Sequence, residues 1–247
     1  MSNFNYFLET ILGFLFWMAV AGWWIRSRNW YSLNSHYELL DDDNRAADVN
    51  EMVTNLESLG FILRGYWQIT GQSMGSGRLH LLEHPKSRDV AKVMVVKVGP
   101  RRVFTLVLQT RFEDGTEVVT SNAKTIAAFP RLPGITAAWL PKEADFRRLV
   151  RIHDQIRDHL GAGKQRVPIG DDTAAFLQTA TDDIRAHWVK TGYYAINNRR
   201  HIYQLTWMGV VRIAVSVAWP LREIHRSRRR RETANLLREC GIDLNQI

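Results

Sequence analysis

The chain has 247 residues, of which 45% are apolar and 23% charged, close to the globular average and unlike a disordered or fibrous chain. Its net charge of +8 is local: residues 199–231 hold nine arginines and one acid, while the remainder carries 24 basic and 24 acidic residues, which argues against a general nucleic-acid coat. The single cysteine, Cys240, excludes an internal disulfide framework and a cysteine-built zinc cage.

Residues 11–25 (ILGFLFWMAVAGWWI) contain no charge, and the wider window 4–25 holds only Glu9. About 20 mostly apolar residues cross the roughly 30 Å of bilayer hydrocarbon as a helix, so the window predicts a transmembrane anchor within residues 1–30. Phe14, Phe16, Trp17, Trp23 and Trp24 are its anchoring aromatics, with Trp23, Trp24 and Trp30 where an interfacial belt is expected. Arg26 and Arg28 follow the run and no base precedes it, so the positive-inside rule places the rest of the chain in the cytoplasm. The expectation is a single-pass protein of the bacterial inner membrane. Ala19-Val20-Ala21 has the form of a signal-peptide cleavage site, but the first ten residues lack the positive charge such a peptide requires.

Asp41, Asp42 and Asp43 are read as cap and first-turn charges of a helix through Leu59, ended by Gly60. From Phe61 the period becomes strand-like. Residues 61–70, 78–83, 90–98, 102–112 and 116–120 are rich in β-branched and aromatic side chains, with turns at 71–77, 84–87, Gly99-Pro100 and Asp114-Gly115. This predicts an antiparallel meander of about five strands. A loop containing Pro130, Pro133 and Pro141 leads to a helix over 142–160, whose Phe146, Leu149, His153, Ile156 and Leu160 form one stripe. A second helix over 171–190 places Leu177, Ala180, Ile184 and Trp188 on one side, with Gly192 as its stop. The fold class is α+β: a domain over 31–165 and a helical extension over 166–200.

His80-Leu81-Leu82-Glu83-His84 matches the H-x-x-E-H string of one class of zinc peptidases. That chemistry needs a helix, whereas here the string falls on a short strand, where residues four apart are roughly 13 Å apart. His153, on an apolar helix stripe, reads as a core histidine hydrogen-bonded to a neighbour, with a buried base as the alternative. The glycines of 71–77 lack the Lys-Ser or Lys-Thr of a phosphate loop, and the paired acids Asp171-Asp172 and Asp182-Asp183 read as a helix cap and an exposed face. The expectation is a non-enzyme with no cofactor and no metal.

Residues 205–221 (LTWMGVVRIAVSVAWPL) are apolar apart from Arg212, and their less apolar positions Gly209, Arg212 and Ser216 share one narrow helical stripe with Glu223. That pattern predicts a helix lying in the membrane plane, with a second transmembrane pass as the rival; Pro220 should bend or end it. Arg226, Arg228, Arg229, Arg230 and Arg231 follow at once, as contacts for anionic lipids or a partner. No base-stacking aromatics interleave with them, so no nucleic acid is expected. Residues 232–240 read as a short helix closed by Gly241, and 201–247 as one basic, amphipathic, membrane-facing segment.

The string Phe112-Glu-Asp114-Gly115-Thr-Glu-Val-Val-Thr120-Ser-Asn122, with Phe129-Pro130, Leu140-Pro141 and the helix ending Ile152-His153, resembles a loose group of uncharacterised bacterial membrane-associated proteins. Gly192-Tyr193-Tyr194, Thr206-Trp207 to Gly209 and Trp219-Pro220 before the basic tail extend the resemblance over most of the chain beyond the anchor. The resemblance implies membrane association and no established activity. The combined expectation is a non-catalytic accessory or scaffold subunit of a larger membrane complex, for example respiratory or photosynthetic. The alternatives are a membrane-tethered enzyme, with its site between the sheet and residues 129–141, and a membrane-tethered nucleic-acid binder.

Overall fold

A computed structural model describes residues 20–27, 30–40, 47–70, 78–98, 101–124, 129–218 and 220–243. In chain order these form β1 (Trp30–Ser32), β2 (Tyr37–Leu39), α1 (Ala47–Ser58), β3 (Ile62–Ile69), β4 (Arg78–Glu83), β5 (Val90–Val98), β6 (Arg101–Arg111), β7 (Glu117–Ser121) and β8 (Ile135–Trp139). Then come α2 (Phe146–Leu160), α3 (Thr173–Lys190), β9 (Tyr194–Asn197), β10 (Ile202–Leu205), α4 (Trp207–Val217) and α5 (Leu221–Glu239). Residues 20–27 are also helical. The fold is α+β.

Seven strands pair in the order β2-β3-β4-β5-β6-β7-β8, antiparallel except for the parallel β7–β8 pair. Because side chains alternate across a strand, each central strand supplies two cores. On one face Leu82, Ala91, Val93, Leu106 and Leu108 meet Val49, Val53 and Leu56 of α1 and Leu149 of α2. On the other, Trp67, Leu79, Leu81 and Val90 meet Leu177 of α3 and Ile169. Covering both faces explains why β4 is buried at all positions but its first. At the β7–β8 end, Leu236 and Leu237 of α5 join Ile152, Ile156, Phe112 and Ala138. There the Trp139 backbone N–H on the sheet's edge strand donates to Thr233 Oγ1 at 2.9 Å, so α5 is fastened to the domain.

A second, three-stranded antiparallel sheet runs β1-β10-β9. Its core is aromatic: Tyr31, Tyr194, Trp188 and Phe129 pack with ring centroids 4.4 to 6.1 Å apart, closed by Leu205 and Val210.

The five expected strands coincide with β3 to β7, but the meander of about five strands is corrected to a seven-stranded sheet with a parallel edge pair, plus a second sheet. β1 and β2 have three residues each, too short to show a period, and β8 lies in what reads as a proline-rich loop. β9 and β10 flank a turn whose residues carry no strand signal. The expected stripe of α3 is also shifted. Ile184 is 36% exposed, while Arg185 is buried and stacks its guanidinium on Tyr31 and Tyr203, so the buried side runs Leu177, Thr181, Arg185, Trp188. Among the described residues no helix is long and apolar enough to cross a membrane. The expected anchor residues Phe14, Phe16 and Trp17, the caps Asp41 to Asp43, the turns at 71–77 and Gly99-Pro100, and Trp219 lie outside the described residues.

Candidate functional site

The apolar stretch after β10 forms α4, with Thr206 as its N-cap: the Thr206 hydroxyl accepts from Gly209 N at 2.8 Å and donates to Gly192 O at 2.7 Å. Gly209 lies so close to β9 that a Cβ there would sit 2.3 Å from the Tyr193 carbonyl oxygen; only glycine allows this approach. Arg212 donates to Thr191 O at 2.5 Å and rests over the Tyr193 ring. These contacts turn Gly209, Val210 and Ile213 toward the domain. The opposite side presents Trp207, Met208, Val211 and Val215, each 45 to 57% exposed.

Helical residues 20–27 pack on α4 through Gly22, where a Cβ would lie 2.9 Å from the Trp207 ring. Trp23 and Trp24 of this segment are 62% and 52% exposed. After α4 in the chain and in contact with it, helix α5 begins with the exposed Leu221 and Ile224. Three joined helical segments therefore display large apolar side chains that stay 38 to 62% exposed. With 11 residues α4 is about 16 Å long, half of a bilayer's hydrocarbon depth, so as built it does not form a second transmembrane pass.

Of the basic residues singled out in sequence, Arg226 pairs with Glu223 at 2.8 Å, and Arg228 and Arg229 share Glu232 at 2.9 and 3.2 Å. Arg230 and Arg231 form no ion pair among the described residues. Arg230 reaches a cleft of about 490 Å³ between α5 and the turn after β8, shared with Trp139, Lys142, Arg148 and Thr233. A second cleft, of about 500 Å³, lies between the β9–β10 hairpin, Arg26 and Trp207.

Two polar clusters are buried within the large sheet. On the α2 face, His153 is 1% exposed, with Nδ1 2.9 Å from Thr120 Oγ1 and Nε2 2.9 Å from Thr110 Oγ1; Thr110 in turn donates to Asp89, which Arg157 also binds. Burial pushes the imidazole down to about 4, against the pull of the Asp89 carboxylate, so the ring is neutral. Both nitrogens are used within the core, as expected of a structural histidine. On the α3 face, Lys92 Nζ donates to Gln109 at 2.6 Å, Gln109 to Glu117 at 2.7 Å, and Arg111 to Glu117 at 2.6 Å, beneath Phe176. Burial pulls the Lys92 ammonium down to about 8 although Glu117 opposes it.

The H-x-x-E-H string does lie on a strand and its end. His80 stacks on Tyr66 at 4.3 Å, Glu83 points to the other face and binds Arg64 at 2.6 Å, and His84 meets Phe61 edge-on. The three do not converge. Among the described residues no group of three His, Cys, Asp or Glu side chains is placed to hold a metal ion.

No known protein family matches the chain, and no curated protein or solved structure matches it. Its function has to be read from its own surfaces. The sequence singles out Trp23, Trp24 and the α5 arginines, which are exposed or half-exposed here, but not the Arg26 cleft or the Lys92 chain. The available signal for the latter was the polar period-2 positions Lys92, Gln109 and Glu117 in strands otherwise rich in valine and leucine.

Proposed function

We propose that the protein is a membrane-anchored, non-catalytic docking subunit, whose α+β domain is held on the bilayer surface by residues 20–27 and α4 and offered to a larger membrane complex. The observation that carries this reading is the exposed apolar surface of Trp23, Trp207, Met208, Val211 and Val215 on two packed helices. Exposed apolar clusters of this kind mark membrane or protein contacts. Residues 20–27 continue the charge-free sequence 11–25, which favours lipid as what covers the surface nearest them. In sequence Arg26 and Arg222 follow the two apolar runs closely, as expected where apolar burial meets phosphate headgroups.

The fold suits such a role. The aromatic core of the small sheet joins α3 to β9 and β10, Gly209 seats α4 beside Tyr193 just before β9, and α3 packs on the large sheet, so α4 is tied to the large sheet while its apolar face points outward. Spin labels placed singly at positions 208, 211 and 215 of the full chain, with Cys240 replaced by Ser, test the reading in bilayer nanodiscs. Labels at these sites should be accessible to oxygen and shielded from a water-soluble relaxation agent, unlike a label at exposed Asp183. Equal aqueous accessibility at all four would refute membrane docking.

A further inference from the structure

The cleft beside Arg26 has a more specific chemistry than a general basic surface. Arg26 is the first cation after the apolar run, and it is not free to wander: its Nε donates to Leu205 O at 3.0 Å and its guanidinium lies 5.4 Å from the Trp207 ring centroid. Its two Nη groups carry no other partner among the described residues, and the side chain lines the cleft. Arg199 of the β9–β10 turn lines the same cleft and likewise forms no ion pair among the described residues. Asn197 Nδ2 donates to Gln204 Oε1 at 3.2 Å, which leaves the Gln204 amide N–H groups available as donors. Among the described residues no Asp or Glu lines the cavity. Two guanidiniums, one held in place by a backbone carbonyl and an indole, together with neutral amide donors, form a receptor for a phosphate group, whose oxygens match the planar fork.

The surroundings favour one source of phosphate. The cleft opens beside Trp207 and the 49% exposed Ile196, so a ligand seated in it continues onto the apolar face of α4. We propose that this cleft binds the headgroup phosphate of an anionic phospholipid, with its acyl chains along Trp207 and Met208. The inference rests on the membrane-docking reading and adds to it a single stoichiometric lipid site. It also separates that site from the α5 arginines, which act as a diffuse charge.

Native mass spectrometry of the full chain in a neutral detergent, with equal amounts of phosphatidylglycerol and phosphatidylcholine, tests it. One phosphatidylglycerol adduct should dominate, fall about tenfold in Arg26→Gln/Arg199→Gln, and persist in Arg230→Gln/Arg231→Gln. Arg26→Lys should recover it partly, and Ala195→Phe, which fills the cleft at an exposed strand position without removing charge, should abolish it while thermal unfolding stays unchanged. Equal retention of phosphatidylcholine, or an adduct indifferent to Arg26, Arg199 and Ala195, overturns the site. Displacement of the adduct by glycerol 3-phosphate at comparable concentration overturns the lipid and makes the site one for a water-soluble phosphate ester. The spin-label depths keep the two readings apart: labels in lipid with no adduct defeat the cleft alone, and labels in water with an Arg26-dependent adduct defeat the docking reading alone.

Discussion

His153 of α2 accepts a hydrogen bond from the hydroxyl of Thr120 on β7, 2.9 Å away, and this contact joins helix to sheet. The direction follows from the chain of partners. Asp89 can only accept, so the Thr110 hydroxyl donates to it; Thr110 oxygen then accepts the proton on His153 Nε2, leaving Nδ1 bare for Thr120. A protonated ring would donate from both nitrogens, so the Thr120 hydroxyl would have to turn and accept, leaving its own proton without this partner, and the charge would sit in a buried site.

Protonation therefore opposes folding. Burial holds the folded imidazole at about 4, against 6.5 unperturbed, so between these values the unfolded chain binds the extra proton. Stability is full above the unfolded value and is lost as pH falls toward 4. At pH 5 the loss relative to pH 7.5 is about 2 kcal/mol. Denaturant unfolding at the two pH values measures it, and His153→Gln should flatten most of the difference. A wild-type stability unchanged from pH 7.5 to 5 would contradict this role.

Gly209→Ala should destabilise the small-sheet unit. The added Cβ would meet the Tyr193 carbonyl at 2.3 Å, backbone against backbone, so α4 must lift away. Overpacking of this kind costs about 1–3 kcal/mol, more than the gain of up to about 1 kcal/mol from replacing glycine within a helix. Limited proteolysis should show faster cleavage in the 198–201 turn, with the large sheet unaffected. A variant as resistant as wild type would mean that α4 is not seated on β9 in this way.

The strands β3 to β7 were legible because β5 to β7 are rich in β-branched residues and β3 and β4 are apolar runs, punctuated by Asp114-Gly115 and similar turns; Gly115 does take φ +79°, with Asp114 Oδ1 accepting from Thr116 N. What sequence could not show depends on distant partners. β8 becomes a strand because β7 offers a parallel edge and Thr233, 94 residues later, accepts its outer N–H. Arg185 is buried because two tyrosines from another sheet receive its guanidinium, a neighbour no helical period encodes. The apolar face was partly legible, as the complement of the polar stripe of 205–221; that Gly209 and Arg212 of that stripe face the domain and leave the apolar side outward, and that Arg26 is held against Trp207, emerged only from tertiary packing.

Asp145→Ala should cost about 1 kcal/mol. The Asp145 carboxylate caps α2 by accepting from Arg147 N at 2.9 Å and Arg148 N at 3.4 Å, and α2 carries Leu149, Ile152 and Ile156 into two cores. Asp145→Asn keeps an acceptor and should recover most of the loss. Equal losses in the two variants by denaturant titration would point to the charge rather than the cap.

The arginines of α5 should be unequal in their attraction to an anionic membrane. Arg228 and Arg229 are partly neutralised by Glu232, whereas Arg230 and Arg231 meet no carboxylate among the described residues. A base near an anionic leaflet contributes about 1 kcal/mol, and less when an acid beside it is drawn toward the same surface. Energy transfer from a fluorophore at position 227 to a headgroup acceptor, in nanodiscs containing phosphatidylglycerol, reports how closely α5 approaches the bilayer. Arg230→Gln/Arg231→Gln should weaken that approach more than Arg228→Gln/Arg229→Gln, and raising the salt concentration should erase the difference, since exposed charges are screened within about 10 Å at 0.1 M. If the two double variants behave alike at low salt, the Glu232 pairs do not set which arginines face the membrane; if neither changes the transfer, α5 stands away from the bilayer and its arginines serve a protein partner instead.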